Sequence, residues 1–77
     1  MNSLDDNTLI RLVLEGNTSA FDVIVRRYNT KVYSLAFRLL NSVEDAEDVA
    51  QDTFSQAFKA LGSFRGTAKF YTWLFRI

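Results

Sequence analysis

Apolar residues recur along this chain at steps of three and four, the period of helices that bury one face. Leu9, Ile10, Val13 and Leu14 form one stripe, which predicts a first helix over residues 5–15. Asp5 or Asp6 is placed to cap its start and Gly16 to stop it. Phe21, Ile24, Val25, Tyr28, Val32, Leu35, Ala36 and Leu39 carry the same period through a longer second helix over 19–40. Thr18 or Ser19 is its expected cap, and Asn41 its expected end. Val and Ile lower the intrinsic propensity of that helix slightly, so packing has to supply much of its stability.

The third helix has the cleanest boundary. Ser42 is followed three residues later by Asp45, a near match to a capping box with Asp in place of Glu. Glu44, Asp45 and Glu47 then occupy the first turns, where the helix dipole favours negative charge. Ala46, Val49, Ala50, Thr53, Phe54, Ala57, Phe58 and Leu61 make the expected inner stripe over 43–61, with Gly62 as the C′ residue. Asp45, Asp48, Asp52 and Gln56 form a separate outward row, flanked by Gln51. After a loop over 62–67, Phe70, Trp73, Leu74 and Ile77 predict a fourth helix over 68–77 capped by Thr67. The chain reads as a segment that stops inside, or at the edge of, that helix. The expected fold is all-α, a compact bundle of about four helices making one domain over 1–77.

Composition narrows the chemistry. With 77 residues, the chain is near the lower size at which a core holds itself together. An apolar fraction of 48% nevertheless points to a globular domain. Cys and His are both absent, which removes a thiolate metal site, a disulfide framework and the commonest general base. No nucleophile elbow or Gly-rich phosphate loop is present, so an enzyme is not expected, nor any cofactor or metal. The opening Met-Asn-Ser-Leu-Asp-Asp lacks the basic and apolar regions of a secretory signal, and no apolar run reaches the ~20 residues that span a bilayer. The expected location is the cytoplasm, without membrane insertion.

Net charge is zero, but the charge is segmented. Residues 42–58 carry Glu44, Asp45, Glu47, Asp48 and Asp52 with no base; residues 59–77 carry Lys59, Arg65, Lys69 and Arg76 with no acid. The basic stretch also holds Phe64, Tyr71, Trp73 and Phe75. Aromatic rings beside cations are what unstacked bases and their phosphates bind. Each feature has a plainer reading. The acidic row can be a solvated, dipole-stabilised helix start, and the cations a solubilising face. A metal site of the prenyl-diphosphate type would need a large helical cavity, which a chain this short cannot build. Phe64 can stack on a base or cap the bundle from below, and Trp73 can be core or an edge wedge.

Asp48-Val49-Ala50-Gln51-Asp52, Phe58-Lys59-Ala60-Leu61, Phe64-Arg65-Gly66 and Phe70-Tyr71-Thr72-Trp73-Leu74-Phe75-Arg76-Ile77 together resemble region 2 of bacterial sigma factors. The likeness is to the extracytoplasmic-function group and its sigma-E-like members, and with Glu15-Gly16 and Ala20-Phe21 through Arg27-Tyr28 it covers nearly the whole chain. It implies a transcription initiation module that docks on the β′ clamp helices of core RNA polymerase and captures flipped non-template bases of the promoter −10 element. On that resemblance Asp45, Asp48, Gln51, Asp52 and Gln56 would meet polymerase, and Lys59, Phe64, Arg65, Lys69, Tyr71, Trp73 and Arg76 would meet single-stranded promoter DNA. A cognate anti-sigma factor is a further implied partner. Two departures bear on this. Trp73-Leu74 stands where housekeeping members carry a Trp-Trp pair, and the −35-binding region 4 is absent from this chain. Weak affinity for promoter DNA is the expected consequence. The alternative is a helical protein-interaction bundle that binds no DNA.

Overall fold

The computed structural model describes residues 3–66 and 69–76, and they form an all-α bundle. Helix α1 (Asp6–Leu14) starts at Asp5, whose Oδ1 accepts the Thr8 N–H at 2.8 Å. It ends in a Schellman turn: Asn17 N–H donates to the Leu12 carbonyl at 2.9 Å and Gly16 N–H to that of Val13 at 3.0 Å. That turn puts Gly16 at φ +109°, a conformation in which only glycine is unstrained.

Helix α2 (Ser19–Leu40) is the long element, 22 residues. Its start departs from the expected capping. Thr18 stands at the N-cap in a helical conformation and makes no side-chain cap bond; Ser19 Oγ instead donates to Asn17 Oδ1 at 2.6 Å. Three-residue backbone turns, from Ala20 N–H to Asn17 O and Phe21 N–H to Thr18 O, lead the chain in. At the far end Asn41 adopts the left-handed conformation, φ +53°, and its N–H closes on the Phe37 carbonyl at 2.7 Å.

Helix α3 (Val43–Ala60) follows after two residues, so it runs back along α2, and these two helices share the most extensive interface in the bundle. Ser42 caps it, accepting the Asp45 N–H at 3.3 Å. Gly62 is not the C′ glycine expected from sequence. The chain tightens at Leu61 into a 3-10 turn, Leu61–Ser63, and Gly62 lies within it without a positive φ. The last helix, α4 (Phe70–Leu74), is five residues long, shorter than the spacing over 68–77 predicts; its expected cap Thr67, with Ala68 and Ile77, lies outside the described residues. Lys69 stands at its N-cap with no side-chain cap bond.

The core joins all four helices and the 3-10 turn: Leu9, Ile10 and Val13 of α1, Phe21, Ile24 and Val32 of α2, Phe54 and Ala57 of α3, then Leu61, Phe70 and Leu74. Leu9, Ile24 and Leu74 are wholly buried, each worth about 1.5–3 kcal/mol of transfer free energy. Among the described residues no polar or charged side chain is buried. The period places the stripes but overstates their width. The spacing places Leu14, Leu35, Leu39, Val49 and Phe58 on inner faces, yet they are exposed, Leu39 to 77%. Ala20 and Val23, outside the expected stripe, are buried instead. Leu14 lies in the last turn before the Gly16 reversal, and Leu35 and Leu39 on the end of α2 that α1 does not reach; each helix face is covered only where another element crosses it.

Candidate functional site

Two faces follow from this packing. The first is the outer side of α3. Asp45, Asp48, Gln51, Asp52 and Gln56 are all exposed, as a stripe opposite Ala46, Ala50, Phe54 and Ala57 must be. Gln56 Nε2 donates to Asp52 Oδ2 at 2.8 Å across one helical turn, which orders that part of the row. Gln51 also lines a groove of about 380 Å³ between α2 and α3, together with Val25, Asn29 and Tyr33 on one side and Glu47 and Phe54 on the other. Glu47, Asn29 and Tyr33 therefore adjoin the acidic row. The sequence offers no signal for the two α2 residues, because only the α2–α3 crossing brings them there.

The second face is built from α4, the 3-10 turn and the α1 end of α2. Its aromatic rings form one continuous chain. Phe64 meets Phe70 and Trp73 at 5.6 and 5.5 Å between centroids, and Phe70 meets Trp73 at 5.6 Å. Tyr28 of α2 bridges onward, 5.7 Å from Phe70 and stacked 5.7 Å from Tyr71. Tyr71 then meets Phe75 edge-on at 4.4 Å, the i, i+4 flank pair anticipated from sequence. The Lys31 ammonium stands 5.0 Å from the Tyr71 ring centroid, within cation–π range.

Two clefts open beside this chain of rings. One, about 440 Å³, is lined by Asp5, Asp6, Asn7, Tyr28, Gly66, Lys69, Phe70 and Tyr71. The other, about 380 Å³, lies between α1 and the loop, with Phe64 and Arg65 on one wall and Asn7, Ile10 and Arg11 on the other. Gly66 and Asn7 border both. Gly66 sits at φ +76°, and a Cβ there would come to 3.9 Å of the Asn7 amide, so its backbone conformation, not crowding, calls for glycine. The fold thus gathers Phe64, Arg65, Lys69 and Tyr71 around adjoining clefts. Trp73 is half-buried beneath them, and Lys59 and Arg76 are exposed but line neither cleft.

Phe64 is not the open loop phenylalanine that its position suggests. It is half-buried against Phe70 and Trp73, as a cap on the bundle would be. Tyr28, by spacing one member of the α2 apolar stripe, is the hub of the aromatic chain. Its hydroxyl donates to Asp6 Oδ2, while Arg27 Nη1 donates to Asp6 Oδ1 at 2.9 Å and Arg27 Nη2 to the Leu4 carbonyl. Burial, reinforced by the bond to the Asp6 carboxylate, pushes the Tyr28 phenol up to about 12. Thr8, which donates from side chain and backbone, holds the Asp5 carboxyl below the ordinary carboxylate value.

A small helical bundle with one acidic face and one aromatic face of mixed charge, without a buried polar constellation among its described residues, has the make-up of a binding module. Residues 24–77 match the Sigma-70 region 2 family, and the chain belongs to it. It is 44% identical over 72 residues to the RNA polymerase sigma-H factor of Pseudomonas aeruginosa, covering 94% of this chain and 37% of that protein. It is 47% identical over 74 residues to the ECF RNA polymerase sigma-E factors of Salmonella typhimurium and Escherichia coli K12, covering 96% of this chain and 38% of each. The chain therefore spans less than two-fifths of the length of these relatives.

Proposed function

We propose that this chain is the polymerase-docking and strand-capturing module of a transcription initiation sigma factor of the extracytoplasmic-function type. The observation that carries the reading is the coincidence of family and geometry: a Sigma-70 region 2 chain with an exposed acidic row on α3 and, apart from it, aromatic clefts that Arg65 and Lys69 line beside Asp5, Asp6 and Glu15. The acidic row of α3, centred on Asp48, Gln51 and Asp52 with Asp45 and Gln56 at its ends, meets basic residues of the β′ clamp helices in the cytoplasm. Such complementarity raises the association rate and fixes orientation more than it adds affinity. The second face takes flipped non-template bases of the −10 element, with Lys69 and Arg65 near phosphates and Tyr71 as a stacking ring. Lys59 and Arg76 contribute charge outside the clefts. No bond is made or broken; binding energy offsets the cost of unstacking the duplex. An anti-sigma factor that covers both faces is the natural antagonist.

The packing of Phe64 on Phe70 and Trp73 gives the rival reading, a protein-interaction bundle without DNA binding, its one specific support. On the sigma reading, Phe64 and Trp73 brace the cleft, and stacking falls chiefly to Tyr71 at ~1–3 kcal/mol per base. Titration of the chain against the isolated β′ clamp coiled coil separates the outcomes, with a Gln51→Ala, Asp52→Ala double variant beside wild type. Saturable binding that a folded variant loses is the expected result. No binding by folded wild type would remove the docking proposal.

A further inference from the structure

Asp6 lies where α1, α2 and the aromatic chain meet, on the wall of the 440 Å³ cleft. Its two carboxylate oxygens are both engaged, one by Arg27 Nη1 at 2.9 Å and the other by the Tyr28 hydroxyl. Arg27 also holds the Leu4 carbonyl, so the start of α1 is clasped to α2 by three bonds. Tyr28 then carries the connection across to α4, in contact with Phe70 and stacked on Tyr71. No side-chain cap fixes the start of α4 at Lys69. Its orientation depends on what its rings touch. Tyr71 has one face taken by Tyr28, its flank by Phe75 and the Lys31 ammonium 5.0 Å over its ring, yet it is 38% exposed and lines the 440 Å³ cleft opposite α1.

We propose that Asp6 is a positioning residue for single-strand capture, acting through Tyr28 to hold Tyr71 as the stacking wall of the cleft that Lys69 also lines. The inference rests on the single-strand reading above. Asp6 touches no base in this scheme. It fixes the Tyr28 ring by its hydroxyl, and an ordered Tyr28 holds the Tyr71 ring at the cleft, where the exposed Lys31 side chain moves off the ring for a base to stack. A base that stacks on a ring ordered in advance loses less of its binding energy to ordering that ring.

The test is fluorescence anisotropy of a labelled single-stranded DNA oligonucleotide titrated with wild type, Asp6→Ala, Asp6→Asn, Tyr28→Phe and Tyr71→Ala. Each is also titrated against the β′ clamp coiled coil, and circular dichroism monitors folding. Asp6→Ala and Tyr28→Phe are each expected to weaken DNA binding about tenfold, and their combination to be no weaker than either alone, because they break one connection. Asp6→Asn, which keeps an acceptor for the Tyr28 hydroxyl, should recover most of the loss. Coiled-coil binding should be unchanged throughout. The salt slope of DNA binding should also hold for Tyr28→Phe, which changes no charge and removes no phosphate contact. If Tyr71→Ala loses DNA while Asp6→Ala and Tyr28→Phe bind like wild type, single-strand capture stands and the role of Asp6 is refuted. If wild type itself binds no DNA, the capture reading fails and the inference with it. Should Asp6→Ala unfold, Tyr28→Phe, which keeps the ring and its packing, decides the matter alone.

Discussion

Tyr28 shows how one side chain serves both packing and polarity. Its ring lies among Phe70, Tyr71 and the core while its hydroxyl reaches a carboxylate. Because burial raises its pKa from 10.0 to about 12, the folded chain holds the phenolic proton more tightly than the unfolded chain does. Its contribution is thus complete below pH 10, and stability falls as pH rises from 10 to 12. Urea unfolding at a series of alkaline pH values should show that decline in wild type and a shallower one in Tyr28→Phe. The terminal aromatics sort by burial in the same way. Leu74 is fully buried, and Leu74→Ala is expected to cost about 2–5 kcal/mol. Trp73, half-buried, leaves a smaller void, so Trp73→Ala should fall below the ~3–5 kcal/mol of a fully buried Trp. Thermal melts of the two variants give the order.

At the scale of elements, helix ends carry most of the local specification. Asn41 is the only described non-glycine residue with a positive φ, and it lets α3 reverse along α2 within two residues. Asn41→Ala should destabilise by ~1 kcal/mol, the usual penalty for a Cβ in that conformation, whereas Asn41→Gly should be nearly neutral. Denaturant midpoints at constant m-value would establish this. The acidic row of α3 is held by little besides the Gln56–Asp52 bond, worth about 0.2–0.5 kcal/mol on an exposed helix face. Asp52→Ala should therefore leave the melting temperature almost unchanged, so that any loss of coiled-coil binding is read as interface and not as fold.

At the scale of the molecule, the acidic stretch 42–58 becomes the outside of one helix, whereas Arg65 and Lys69 of the basic stretch border clefts that they share with Asp5, Asp6 and Glu15 of the first helix region. Affinity for single-stranded DNA should fall steeply with salt, and Lys69→Ala should flatten that dependence by roughly one phosphate contact. Binding isotherms at several salt concentrations would check both. The four helices, the Asp5, Asn41 and Ser42 boundaries and the exposed row of α3 were all legible in the sequence, since caps and periodicity are local. The failures share one cause. Val49, Phe58, Leu35 and Leu39 have the right period but only partial cover, Phe58 from Phe21 at 5.1 Å and the other three around one open groove, and periodicity does not record how far a neighbour covers a residue.

The sequence by itself determined the all-α class, the two faces and the family likeness, because those depend on spacing, composition and short motifs that need no third dimension. Only the tertiary structure decided that Phe64 packs onto Trp73, that Tyr28 connects Asp6 to Tyr71, and that Gly66 and Asn7 border both clefts. Those relations join residues far apart in the chain, Asn7 and Gly66 by 59 positions and Asp6 and Tyr71 by 65, and are set by how helices cross. A crossing is fixed by side-chain packing between elements, which a single stripe of apolar residues permits but does not specify.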